Sequence, residues 1–183
     1  MPHLRLYVPE EWLREDFQHA TGFDARKLLD RLVQVVAGLR MENAAIEARR
    51  QALRAQDGNR VITEAEVQID EKGNPITPVT VPMINLSNLK HAIVPLYYAQ
   101  VAGDPSKRFL HATLQAGNDT PGRTAAVRRR AAELLGEAID EFVGDLPQLN
   151  SVTVHVQDID RDRGYSTTAE RKKARQKSAD APR

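Results

Sequence analysis

The chain contains no cysteine, which excludes disulfides and thiolate chemistry. It has no apolar run near the roughly 20 residues that span a bilayer, and no signal-like apolar segment follows the first methionine. A charge excess of one sign is missing as well. The 26 Lys and Arg stand against 25 Asp and Glu, so the chain as a whole is no obvious binder of polyanions and nucleic acid is not an expected partner. The five histidines (His3, His19, His91, His111 and His155) are scattered, with no H-x-x-x-H pair and no carboxylate pattern beside them, and so give no metal constellation. There is no G-x-S-x-G, no phosphate loop and no dinucleotide fingerprint. A cytoplasmic protein without a membrane span or a metal is the simplest expectation.

What is present begins at the second residue. A proline directly after Met1 favours removal of the methionine, and Pro2 would then carry a secondary amine, a base of pKa roughly 8 before any perturbation. Behind it Leu4, Leu6 and Val8 alternate with His3, Arg5 and Tyr7, the period of a strand that would hold such an amine in place.

Further along, Asp24 reads as an N-cap for a helix over 24–39, with Leu28, Leu29, Leu32, Val35, Val36 and Leu39 on its apolar stripe. Residues 40–56 read as a polar helix whose Arg49, Arg50 and Arg54 form a solvated face. Over 61–69, Val61, Ala65, Val67 and Ile69 alternate with acidic and amide residues, which predicts a half-buried strand. An irregular return over 76–83, confined to an edge by Pro78 and Pro82, would make 60–83 a projecting hairpin suited to subunit contacts. Two strands are predicted within 89–116, at 93–101 and 108–116, then a long amphipathic helix over 121–144 opened by Pro121, and a last strand over 151–159. Arg128, Arg129 and Arg130 read as a solvated run, and Arg123 as a structural residue at the start of the long helix. From Arg161 to Arg183 eight basic residues face three acidic ones, and a basic, flexible tail over 166–183 is expected.

Setting aside an insertion at about 40–85, the elements form two consecutive βαβ units in a single domain over 1–165. Pro2-His3-Leu4, the strand Phe109-Leu110-His111-Ala112-Thr113-Leu114, the Gly122-Arg123 loop, the long helix and the strand from Val152 to Ile159 occur in an order that resembles the tautomerase superfamily, in its 5-carboxymethyl-2-hydroxymuconate Δ-isomerase branch. The resemblance implies an α+β fold. Its two βαβ units would form a four-stranded mixed sheet with helices on one face, here with an inserted helix and β-hairpin, assembled as a homotrimer.

The resemblance also implies an isomerase that needs no metal or organic cofactor, with Pro2 as catalytic base and a small enol or keto acid as substrate. Branch members hold substrate carboxylates with two arginines, where this chain has Lys90 and Ala92, so a diacid substrate is not expected. Lys90, His91, Arg108 and His111 are the substrate-contact candidates. The alternatives are a superfamily hydratase or dehalogenase using the same base, and an inactive trimer of the same fold serving as a binding scaffold.

Overall fold

The fold follows from two apolar stripes that meet. In a computed structural model, describing residues 2–58, 60–97, 99, 101, 103–104, 106–117 and 122–159, the alternation at the start of the chain forms strand β1 (His3–Pro9), with Leu4, Leu6 and Val8 buried. A 3-10 turn (Glu10–Leu13) and a short helix α1 (Glu15–Thr21) lead into helix α2 (Ala25–Gly38). The Asp24 carboxylate accepts the amides of Arg26 (2.9 Å) and Lys27 (3.3 Å), and so satisfies two donors that the first turn leaves open. Leu28, Leu29, Leu32 and Val36 then face the sheet.

The second half repeats the plan. Strand β4 (Lys90–Leu96) closes the first βαβ unit; β5 (Arg108–Gly117), helix α5 (Ala125–Val143) and β6 (Leu149–Ile159) form the second. The sheet order is β4-β1-β5-β6. β1 runs parallel to β4, β5 parallel to β6, and the two central strands are antiparallel. Leu110, Ala112 and Leu114 of β5 join the β1 leucines under α2 and α5 in one core. The opposite face of the sheet, formed by the odd-numbered residues of β1 and β5 and their register partners, carries no part of that core; it is called the open face below. Pro95 is tolerated because β4 is an edge strand. Helix α5 starts at Ala125, capped by the Thr124 hydroxyl on the Val127 amide (3.3 Å), rather than at Pro121, which lies outside the described residues.

The insertion differs most from expectation. Residues 40–42 are a strand, β2 (Arg40–Glu42), and the polar helix α3 (Ala44–Gln56) is separate from α2. Residues 61–69 are not a strand: helix α4 (Glu64–Val67) occupies their centre. Thr63 and Glu66 form a capping box, in which the Thr63 amide and hydroxyl each donate to Glu66 Oε2 at 2.9 Å. Val67 drops into a small core with Ile46 and Leu53 of α3. The returning strand β3 (Thr80–Pro82) is real, but its antiparallel partner is β2. The insertion thus carries the helices α3 and α4 and a two-stranded pair, joined differently from the hairpin expected over 60–83.

Arg50 is no part of a solvated face. It donates to Glu42 (2.9 Å to Oε1), Glu47 (3.0 Å) and Glu64 (3.2 Å), and the Glu42 bond leads in holding its pKa above the ordinary value. The basic tail over 166–183 lies outside the described residues.

Candidate active site

Pro2 is fixed by the strand it begins. Its carbonyl accepts the Lys90 amide at 3.1 Å, and the next pair in the ladder is His3 with Lys90, so β1 and β4 begin side by side. On the other flank His3 pairs with Gln115 near the end of β5, and Gln115 with Gln157 near the end of β6. Several described segments that enter or leave the sheet therefore lie at the Pro2 end. These include Leu39 after α2, residues 83–89 before β4, the Gly122–Thr124 turn before α5, and Asp158.

His3 and Lys90 lie on the open face; Lys90 is exposed and His3 half-buried. Burial, then the charges of Arg5 and Lys90 among its neighbours, hold the His3 imidazole below its ordinary pKa. His91 is in register with Leu4, on the helix side, and is exposed at the sheet edge.

The other two candidates lie elsewhere. Arg108 opens β5 at the far end of the sheet, seven residues from Gln115, which at about 3.4 Å per residue is roughly 24 Å from the His3 row. There it pairs with Glu11. Burial works to raise the Glu11 carboxyl, yet the Arg108 bond and charge bring it below its ordinary value. His111 sits opposite Tyr7 in mid-sheet; its Nδ1 is 2.6 Å from the Thr153 hydroxyl and its ring lies 5.4 Å from that of Tyr7. Within one chain, Pro2, His3, Lys90 and His91 share one end of the sheet, while Arg108 and His111 do not join them.

On the helix side of the same end stands a cluster that was not among the candidates read from the sequence. Only 8% of the Arg123 side chain is exposed, and its Nη2 donates to the Met83 carbonyl at 3.0 Å. Arg128 donates to Asp158 (2.5 Å) and to the Arg123 carbonyl (3.0 Å), while Arg123 Nη1 is 3.8 Å from the other Asp158 oxygen. Arg123 is thus tied to the start of α5, as its place in the sequence suggests, whereas Arg128 is no solvated residue. The signal for this cluster was Asp158 itself, an acid closing the apolar stripe Val152, Val154, Val156. An apolar cleft of about 420 Å³ opens nearby, lined by Leu39, Arg40, Met83, Val127 and Leu134 among others. A second cleft, of about 450 Å³, lies at the far end against Leu13, Asp24 and Pro95. Among the described residues no group of three or more His, Asp or Glu is arranged to hold a metal ion, and no helix is long and apolar enough to cross a membrane.

No family model matches the sequence, and no curated protein does. Solved structures do. The crystal structure of a 5-carboxymethyl-2-hydroxymuconate delta-isomerase is similar with a TM-score of 0.54 at 14% identity, over 95% of this chain and 93% of that one. A 5-carboxymethyl-2-hydroxymuconate isomerase from Deinococcus radiodurans R1 is similar with a TM-score of 0.48 at 15% identity, over 91% and 88% of the two chains. At such identities the likeness is one of fold. The chain has the α+β fold of the first of these isomerases, in line with the resemblance read from its motifs.

Proposed function

We propose that the chain is a cofactor-independent tautomerase, in which Pro2, freed by removal of Met1, is the general base for a small unsaturated hydroxy or keto acid. The amine nitrogen takes a proton from an enol hydroxyl or from a carbon next to a conjugated carbonyl. The resulting ammonium returns it at another carbon, and a double bond moves. The observation that carries this reading is the anchoring of Pro2: a 3.1 Å backbone bond to Lys90 holds the residue at the head of a central strand, with a lysine in the neighbouring row. Arg5 and Lys90, which add to burial in lowering the His3 pKa, would act on an amine at Pro2 in the same sense and favour its neutral form.

Lys90 is the group assigned to the substrate carboxylate, and His91 stands beside it. With Ala92 two positions on, one carboxylate fits this end of the sheet better than two. Assembly as a homotrimer would cover Pro2, which is half-buried in the single chain, and bring Arg108 or His111 of a neighbour toward it. The similar isomerase is named for a hydroxymuconate, and conjugated enols of that kind are the first substrates to try.

The test is ketonisation of 2-hydroxymuconate and of enol-phenylpyruvate, followed by absorbance, together with the intact mass of the protein. Loss of Met1 and enol turnover that falls on the order of 10² to 10⁴-fold in Pro2→Ala are expected. Retained Met1 would leave the Pro2 nitrogen a non-basic amide and would end the proposal, as would turnover no faster than buffer.

A further inference from the structure

Pro2 shares its row of the sheet with the ion cluster on the helix side. One step back from the His3–Gln115 pair, the antiparallel direction sets Ala116 beside Pro2, and Ala116 pairs with Asp158 of β6. Adjacent strands stand about 4.8 Å apart, so the Asp158 backbone is roughly 10 Å from that of Pro2, two strands across. Pro2 comes two residues before Leu4, and Asp158 two after Val156, so both lie on the side of the sheet that faces the helices.

Little water separates them. Ala116, which stands between the two, is 1% exposed. The cluster is also held in place from several segments: Arg128 binds Asp158 from α5, Arg123 binds the Met83 carbonyl, and the Met83 amide donates to the Leu39 carbonyl at 2.9 Å. A buried ion pair is weak evidence for stability, because desolvation offsets most of the attraction. This one also leaves Asp158 Oδ1 buried without a hydrogen bond, with Arg123 Nη1 3.8 Å away. Stability alone is a poor account of such an arrangement.

Among the described residues, the other charged or titratable groups at this end are His3 and Arg5 on β1 and Lys90 and His91 on β4. The strand β2 adds Arg40 and Glu42, the latter held by Arg50 at 2.9 Å, and α5 adds the exposed Arg129 and Arg130. Asp158 is therefore the acid that the sheet itself brings to the row of Pro2.

We propose that the Arg123–Asp158–Arg128 cluster sets the proton affinity of the Pro2 amine. Two guanidinium groups and one carboxylate leave one positive charge, which disfavours the ammonium form, and Asp158 limits how far. The three are positioning residues, which act through Pro2 and need not touch a substrate. The inference rests on the proposed function in one respect, the removal of Met1 that frees the amine; it does not require that the amine catalyse a reaction.

The experiment is a pH titration of the Pro2 amine by NMR in the isotope-labelled full chain, with intact mass and enol turnover measured on the same samples. Wild type is compared with Asp158→Asn and Arg128→Gln. Loss of the acid should lower the amine pKa and loss of the cation should raise it, each by on the order of half a unit to one unit at this separation. Shifts of the same sign, or none in either variant, would overturn the inference, and so would a loss of stability that leaves the amine where it was. Retained Met1 would end this inference and the proposed function together. Opposed shifts in a chain that turns over no enol would uphold the inference and end that function alone. Should Asp158→Asn lose its circular dichroism, Arg128→Lys takes its place: it should keep the amine near the wild-type pKa while Arg128→Gln raises it, and equal values in the two would overturn the inference.

Discussion

Lys90 and the histidines are where single side chains can be tested. If the Lys90 ammonium holds a substrate carboxylate, one charge-assisted hydrogen bond of about 1.5 to 3 kcal/mol is at stake. Lys90→Ala should then raise KM on the order of tenfold to a hundredfold with kcat changed far less, and Lys90→Arg should keep most of the binding; steady-state kinetics on one enol acid separates the two parameters. His3 and His111 report on pH instead. Burial comes first in holding each imidazole below its ordinary value, aided by Arg5 for His3 and by His155 for His111. The unfolded chain takes up these protons near pH 6.5, while the folded chain resists until the pH is lower. Their contribution to stability is therefore complete above about pH 6.5 and is lost as pH falls through the folded values. The urea midpoint should drop between pH 8 and pH 5, and His111→Gln should flatten that drop. The sequence placed His111 on a strand but not among its partners, since Tyr7 and Thr153 reach it only through pairing across the sheet.

At the level of elements, close approach of backbones fixes how the insertion sits. Gly122 has φ +89°, and a Cβ there would stand 2.6 Å from the Glu42 carbonyl oxygen. Gly122→Ala therefore meets both an unfavourable φ and a main-chain atom that cannot step aside. Strain of this kind costs about 1 to 3 kcal/mol, and the loss should appear in urea unfolding. Asp24→Ala, by contrast, removes only a cap and should cost about 0.5 to 2 kcal/mol in the same measurement. The two positions also mark what a sequence discloses. Asp24 and the stripe behind it are local signals, and helix α2 was legible to within a residue. The alternation over 61–69 was equally local but shared its residues with the Thr63-x-x-Glu66 cap, and burial of Val67 against α3 decided for the helix. The pairing of β2 with β3 spans some 40 residues, and no pattern within either strand points to the other.

For the whole molecule, the two βαβ units could be read from the order of elements, because each unit is closed by neighbours in the chain, whereas their shared sheet and helical layer were implied by the resemblance and are seen in the fold. What could not be read is which end of the sheet the insertion joins. It leaves after α2 and returns before β4, and therefore stands beside Pro2. A base that works in a partly dry site needs cover, and Pro2 has only part of it within one chain. If the homotrimer supplies the rest, specific activity should fall on dilution in step with the molar mass; activity that is unchanged while the mass drops to one chain would place the whole site within a single subunit.

The antiparallel meeting of β1 and β5 has one more consequence. A local twofold axis between those strands carries the head of β1 onto the head of β5, so that Pro2 and Arg108 occupy equivalent posts at opposite ends of the sheet. Only the first post can bear a free amine, because a chain has one beginning. The second is an ordinary peptide link, closed by the Arg108–Glu11 pair. Symmetry of architecture and asymmetry of chemistry coexist here, and within one chain a substitution at the far post touches the Arg108–Glu11 pair and not Pro2.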